Sequence, residues 1–281
     1  MLEKWLRKHL NRIMSKEEIK NLYILSAQQQ VKNLLNEIKL NNPNRLELCG
    51  YKVYSQNDED GIIQEIFRRI GIKNKTFMEI GVDKGFECNT YLLMFKGWNG
   101  VWIEGGRDAA KKIRKNFAPL LEKKRLTLIE AYIDKDNINQ ILLEKNIEKE
   151  IDLFSIDIDG NDFYVLEALT VLEPRVIVAE YNGKFPVDVD WCMDYNPQHW
   201  WNGSDKMGVA LKPLTEMLQK KGYALVGTNI TGVNAFYVKK ELAQDFFVSV
   251  DDMPTLYNPA RYHLTLSFVS GHRAKEMIIN T

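Results

Sequence analysis

Phe77-Met-Glu79-Ile-Gly81-Val-Asp83-Lys84-Gly85 reads as a β-strand running into a glycine-bearing turn that opens a helix. Glycine at such a turn allows a tight reversal and a close approach of the backbone to a ligand. Outward from it stand Thr76 at the start of the same run and four more short apolar runs. These are Val101-Trp-Ile-Glu104, Leu126-Thr-Leu-Ile-Glu-Ala-Tyr-Ile-Asp134, Ile151-Asp-Leu-Phe-Ser-Ile-Asp157 and Val176-Ile-Val-Ala-Glu180. Short β-rich runs separated by helical stretches are the pattern of βαβ units in a parallel sheet. The expected fold is a doubly wound α/β domain. Tyr223-Ala-Leu-Val and Ala235-Phe-Tyr-Val, joined through Thr228 to Asn234, add a terminal antiparallel hairpin.

In such sheets ligands bind outside the carboxyl ends of the strands. Glu79, Glu104, Asp134, Asp157 and Glu180 stand at those ends, so all five are expected to converge on one crevice. A crevice that negative repels pyrophosphate. It suits a cation, either a sulfonium-ammonium cofactor or a divalent metal.

Bulk composition narrows the classes. The 281 residues suffice for one full core with a helical appendage, and 45% hydrophobic with 27% charged residues is ordinary for a globular chain. Thirty-eight basic residues balance thirty-eight acidic ones, so no global field favours nucleic acid. Cys49, Cys88 and Cys192 are odd in number and lack CxxC spacing, which argues against a disulfide framework or a zinc site. No apolar stretch approaches the roughly 18 residues of a membrane span, and the N-terminus lacks an apolar signal-peptide core. These features predict a cytoplasmic protein.

Leu2, Trp5, Leu6, Leu10, Ile13 and Met14 recur at helical spacing among Lys4, Arg7, Lys8 and Arg12. Ser15-Lys-Glu-Glu18 matches a capping box, and the apolar stripe continues from Ile19 to Ile38. Two helices ending near Asn41-Asn-Pro43 therefore form an N-terminal arm over 1–45. That arm either packs on the domain or on a second subunit as a homodimer contact, or rests as a basic helix on a membrane surface. The main domain is expected over 46–240 and a C-terminal extension of it over 241–281. Ser55 to Asp60 opens a helix expected from Gly61 to Ile70. Its acids suit a helix N-terminus, while Gln56 is expected to face the crevice because the helix leads into the first strand. Between 183 and 205 an aromatic loop carries Trp191, Trp200, Trp201 and His199, and loops of that length are usually lids or binding loops. A helix is expected from Leu211 to Lys221.

The first turn offers only Gly81 and Gly85, without the G-x-G-x-x-G of dinucleotide folds, and Asp83 and Glu87 lie nearby. A nucleoside with a cationic tail fits better. Glu104, at the end of the second run, is placed to accept from both ribose hydroxyls, and such charge-assisted bonds are about twice as strong as neutral ones.

Four stretches, Tyr54-Ser-Gln-Asn-Asp-Glu-Asp60-Gly-Ile-Ile, Phe77 to Gly85, Gly97-Trp-Asn-Gly-Val-Trp-Ile-Glu104 and Phe154-Ser-Ile-Asp-Ile-Asp-Gly-Asn-Asp162, resemble the FkbM-like class I methyltransferases in order over roughly residues 50 to 240. The resemblance implies a Rossmann-like methyltransferase fold using S-adenosyl-L-methionine, with transfer of a methyl group to a sugar hydroxyl. The acceptor it implies is a nucleotide-activated sugar or a precursor of capsule or lipopolysaccharide. It implies that Glu79, Gly81 and Gly85 line the methionine end, that Glu104 holds the ribose, that Asp134 lies beside the adenine and that Asp157 faces the amino group or the methyl. Gln56 and Thr90 complete the cofactor set.

Asp157, Asp159 and Glu180 offer hard oxygens at adjacent strand ends, as Mg²⁺ or another divalent cation requires. Alternatively, Asp159 and Asp162 cap the helix that begins near Phe163. Some related sugar O-methyltransferases carry a histidine three residues beyond the metal-binding aspartate; here that position is Asp162. Candidate catalytic residues are therefore Asp159, Asp162 and His199. His199 is either a general base, a substrate hydrogen-bonding group or a packing residue. The tryptophans are flat faces for a sugar ring or lid packing. Two competing functions are an NAD-dependent sugar-modifying oxidoreductase and a non-catalytic scaffold for glycan-assembly enzymes. The missing dinucleotide fingerprint weighs against the first and the intact acidic series against the second.

Overall fold

Alternation of side chains along a strand lets both faces of a central sheet be buried. The computed structural model, which describes residues 15–268 and 274–279, shows this pattern. Phe77, Trp102, Leu153, Val176, Val178, Phe236 and Val238 pack on one face. Met78, Ile80, Ile103, Phe154, Ile156, Ile177, Ala179 and Tyr237 pack on the other.

The strands are β1 (Thr76–Ile80), β2 (Asn99–Glu104), β3 (Leu126–Glu130), β4 (Glu150–Ile156), β5 (Glu173–Glu180), β6 (Tyr223–Thr228) and β7 (Asn234–Lys239). They form one seven-stranded sheet in the order β3-β2-β1-β4-β5-β7-β6. The first five are parallel, and β7 enters antiparallel between β5 and β6. This is the expected Rossmann-like methyltransferase arrangement, hairpin included. The strand order reverses between β1 and β4, and the crevice at such a switch point is where ligands of open α/β sheets bind.

An arm helix, α1 (Lys16–Asn41), comes first in the described chain, and α2 (Glu59–Ile70) leads into β1. Between strands lie α3 (Tyr91–Phe95), α4 (Arg107–Asn116), α5 (Ala118–Glu122), α6 (Ile138–Glu144), α7 (Asp162–Ala168) and α8 (Leu211–Lys220). Ile62, Ile63 and Ile66 of α2, Tyr91 of α3 and Ile113 of α4 cover the first face. Ile138 of α6, Val165 of α7 and Leu214 of α8 cover the second, so the sheet is wound on both sides. Short helices α9 (Lys240–Ala243) and α10 (Met253–Leu256) follow the hairpin.

Ser15 caps α1 by the reciprocal box its sequence predicts, with Ser15 N donating to Glu18 Oε2 at 2.6 Å and Glu18 N to Ser15 Oγ at 3.2 Å. Ala27 and Val31 of α1 pack on Ile230 and Leu264, which ties the arm to the 3₁₀ segment Tyr262–Phe268 near the other end of the chain. The helix expected over 2–14 lies outside the described residues. α2 starts two residues before the expected Gly61, because Asn57 and Glu59 close the turn with a hydrogen bond of 2.7 Å.

The opposite pole of the sheet is held by Asp152. Its fully buried carboxylate accepts from Lys73 N, Asn74 N and Lys75 N at 2.8–3.2 Å and pairs with Arg175 at 2.8 Å. One charged group thereby fixes the segment that delivers the chain into β1.

Candidate active site at the carboxyl ends of the strands

Gly81 carries the turn after β1 at φ +82°, and a Cβ there would stand 1.8 Å from the main-chain oxygen of Asp157. Only glycine permits this approach of β1 and β4. Gly85 also has positive φ, but a Cβ on it would meet Trp102 and Phe117. Gly85 thus lets the turn settle on the core, where the sequence places it at the cofactor.

Two further cofactor candidates lie deeper than expected. Glu79 is 3% exposed and accepts from Asn89 N at 2.9 Å, Thr90 N at 3.0 Å and Thr90 Oγ1 at 2.6 Å. Thr90 Oγ1 in turn accepts from Trp102 Nε1 at 2.8 Å. Burial pushes the Glu79 carboxyl up, and these donors pull it back. Glu79 precedes the last residue of β1 and points into the first core face. It and Thr90 are thereby tied into the turn from within.

Glu104 lies on the strand next to β1. It ends β2, is half-buried, and receives Val82 N at 3.2 Å and Gly106 N at 2.7 Å, one on each oxygen. Each carboxylate oxygen accepts twice, so acceptor capacity remains for a pair of hydroxyls. Burial raises the carboxyl, opposed by those amide bonds. Asp134 stands four residues beyond the end of β3 at Glu130, off the strand end expected for it. Its Oδ1 accepts from Asp136 N and Asn137 N, both at 2.9 Å, locking the entry to α6. Gln56 is exposed on a loop that Asp60 Oδ2 grips through Val53 N, Tyr54 N and Ser55 N at 2.7–2.8 Å.

Asp157, Asp159 and Glu180 do meet: each offers an oxygen within 4.8 Å of the others. Burial and the charges of Asp162, Asp159 and Glu79 push the Asp157 carboxyl well above the ordinary carboxylate range. Burial with the Asp157, Asp162 and Asp159 charges does the same to Glu180. Asp159, in the left-handed region at φ +57°, is raised by burial, and His199 opposes that rise. Glu180 Oε2 is buried without a hydrogen-bond partner. An all-oxygen acidic set with an orphaned oxygen fits a hard divalent cation. Asp162 is 1% exposed and accepts from Ile158 N at 2.9 Å and Gly160 N at 3.0 Å. Both oxygens hold the loop carrying Asp159.

The aromatic loop closes on this cluster. His199 Nε2 lies 3.0 Å from the Asp159 carbonyl oxygen. A carbonyl only accepts, so Nε2–H donates and a neutral ring keeps its lone pair on Nδ1. The ring also lies over Gly160, where a Cβ would come within 2.4 Å of it. Asn161 Nδ2 donates to Asn196 O at 2.7 Å, and Tyr164 OH donates to Met193 O at 2.8 Å. Trp191 packs on Phe185 at 4.5 Å between ring centroids. Trp200 is 86% exposed and Trp201 47%.

No protein-family model matches the sequence, and no curated protein does. Several solved structures are distantly similar to it. A Staphylococcus aureus protein named for caffeoyl-CoA O-methyltransferase activity has TM-score 0.45 at 16% identity, over 84% of this chain and 98% of its own. An O-methyltransferase from Bacillus cereus in complex with S-adenosylhomocysteine has TM-score 0.40 at 15% identity, over 84% and 98%. The N-terminal domain of EvdMO1, with S-adenosylhomocysteine bound, has TM-score 0.43 at 14% identity, over 80% and 95%.

Sequence reasoning missed Asn161, Asn196, Asn234 and Glu59 around this site. Their pairings join distant segments, and a lone asparagine in a loop carries no periodic signal.

Proposed function

We propose that this chain is a class I, FkbM-like methyltransferase that uses S-adenosylmethionine and a divalent cation to methylate a hydroxyl of a sugar, free or nucleotide-activated. The observation that carries this reading is the placement of acids on either side of Gly81, Glu104 at the end of β2 and Asp157 just beyond β4. A nucleoside with a cationic tail would span that interval. No helix among the described residues is long and apolar enough to cross a membrane. Cytoplasmic residence is part of the proposal, supported by Cys49, Cys88 and Cys192 all being free. So are the division at 45 and 240 and a homodimer through the arm, where Leu22 and Leu25 are 54% and 60% exposed.

S-adenosylmethionine supplies an electrophilic methyl group, and a divalent cation lowers the pKa of a hydroxyl bound to it. The chain does the rest by alignment, which contributes on the order of 7–11 kcal/mol in well-oriented reactions. Glu104 binds the ribose diol. Gly81 brings the β1 turn against the ligand. Asp157, Asp159 and Glu180 hold the cation, and Asp162 holds their loop. His199 lies against the loop carrying Asp159 and, with Nδ1 free, would accept the proton of an acceptor hydroxyl while bound S-adenosylmethionine supplied the methyl group. Trp200 and Trp201 offer apolar ring faces to the acceptor.

Calorimetry with S-adenosylmethionine and with NAD, followed by turnover over sugar and sugar-nucleotide acceptors with Mg²⁺ or with chelator, tests the reading. Binding of S-adenosylmethionine and cation-dependent methyl transfer are expected. Tight NAD binding without S-adenosylmethionine binding would overturn it.

A further inference from the structure

Asn234 opens β7 directly opposite Glu180 of β5. Side chains opposite each other in an antiparallel pair share a sheet face, with Cβ atoms about 4.5–5.5 Å apart. Asn234 is 3% exposed, and its Nδ2 donates to Glu59 Oε1 at 2.9 Å. A carboxylate only accepts, so this bond fixes which way the amide is turned. Oδ1 is therefore directed away from Glu59, and it is buried with no hydrogen-bond partner. Glu180 Oε2 is in the same state. Buried acceptors left unpaired are costly, and two on opposed residues call for a donor or a cation between them.

Glu59 is itself immobile. Its Oε2 accepts from Asn57 N at 2.7 Å, and its Oε1 also accepts from Asn229 Nδ2 at 2.8 Å. Asn229 Oδ1 then accepts from Val233 N at 2.9 Å and Asn234 N at 3.0 Å, which clamps the turn between β6 and β7. Thr265 Oγ1 donates to Asn57 Oδ1 at 2.7 Å, extending the clamp to the segment beside α1.

We propose that Asn234, held by Glu59, is a positioning residue for Glu180, its Oδ1 accepting a hydrogen bond from an O–H group, water or acceptor hydroxyl, bound to the cation at Glu180. The inference rests on the reading of Asp157, Asp159 and Glu180 as cation ligands. Glu180 Oε2 faces the ion and Asn234 Oδ1 takes the hydrogen of the ion's oxygen ligand, so each orphaned acceptor gains a partner of the right sign. Groups that orient metal ligands in this way typically govern affinity by about 10- to 100-fold.

Mn²⁺ titration followed by electron paramagnetic resonance, on the full chain and on Asn234→Leu, Glu59→Gln and Glu180→Gln, tests it without any turnover. The unmodified chain is expected to bind one Mn²⁺ and Glu180→Gln to bind it far more weakly. Asn234→Leu is expected to weaken binding about 10- to 100-fold while circular dichroism stays native. Glu59→Gln is expected to shift affinity in the same direction by less, because a glutamine at 59 lets the Asn234 amide turn over. Unchanged Mn²⁺ affinity in folded Asn234→Leu overturns the role of Asn234. If that variant does not fold, unchanged affinity in Glu59→Gln overturns it instead. Failure of the unmodified chain to bind Mn²⁺ would instead refute the cation reading itself, a distinguishable result.

Discussion

The ring of His199 donates from Nε2 to the main-chain oxygen of Asp159, 3.0 Å away and forty positions earlier in the chain. This contact joins the aromatic loop to the acidic cluster at the end of β4. Replacing His199 with alanine removes both the proton acceptor and the tie. General bases typically contribute 10²- to 10⁴-fold, so kcat is expected to fall by about that range. S-adenosylmethionine affinity, read by calorimetry, should change little, because Glu104 and Gly81 lie on other strands.

Glu104→Ala is expected to act in the opposite sense. Hydrogen bonds to a charged group contribute about 1.5–3 kcal/mol each, so affinity for S-adenosylmethionine should drop by about 10- to 100-fold or more. Calorimetry checks this, and Asp159→Ala, measured alongside, should instead depress turnover. Equal and unimpaired behaviour of both variants would refute the assignments.

The raised carboxyls of Asp157 and Glu180 make stability depend on pH in a defined direction. A carboxyl whose folded pKa exceeds its unfolded value binds its proton more tightly in the native state. The cation-free protein is therefore expected to gain stability as pH falls from neutral through the raised pKa values. That gain is complete once pH drops below the ordinary values of 3.8 and 4.5, and it is lost as pH rises. Saturating Mn²⁺ replaces the proton and should flatten the dependence. Melting temperatures between pH 5 and 8, with chelator and with Mn²⁺, check the sign.

Trp200, 86% exposed at the tip of the loop, is expected to serve the acceptor and not the fold. Trp200→Ala should raise the acceptor KM several-fold while changing unfolding stability by no more than about 0.5 kcal/mol, as surface substitutions usually do.

Asp152→Ala probes the other pole. Breaking a buried charge pair on one side is typically destabilising by about 3–5 kcal/mol, and here three main-chain donors also lose their acceptor. A denaturant midpoint should register that loss. Methyl transfer per folded molecule should persist, because Asp152 lies at the end of the sheet remote from Gly81.

The sheet was legible because short β-rich apolar runs punctuated by helices leave few alternatives, and the hairpin because two such runs follow each other through Thr228 to Asn234 with no helix between them. Glu104, Asp157, Asp159 and Glu180 were legible because acids at the ends of apolar runs are conspicuous. The burial of Glu79 was not legible, because only the strand's register shows that its position one residue before the end of β1 turns it into the core. Asp134 misled because the apolar run around Ile133 continues past Glu130, where β3 stops. The grip of Asp162 on Ile158 N and Gly160 N was not legible, because a buried acid looks, in one dimension, like any helix-leading aspartate. Glu59 was legible only as an acid at a helix N-terminus and Asn234 not at all, since their bond joins residues 175 positions apart.

The loop over 183–208 is fastened near the acidic cluster by main-chain oxygens, the Asp159 carbonyl on one side and the Asn196 carbonyl on the other. Fasteners of that kind are indifferent to most side chains between them. Residues such as Trp200 and Trp201 can therefore be exchanged, or the segment regrafted, without loosening its attachment or touching the half of the crevice built on β1 and β2.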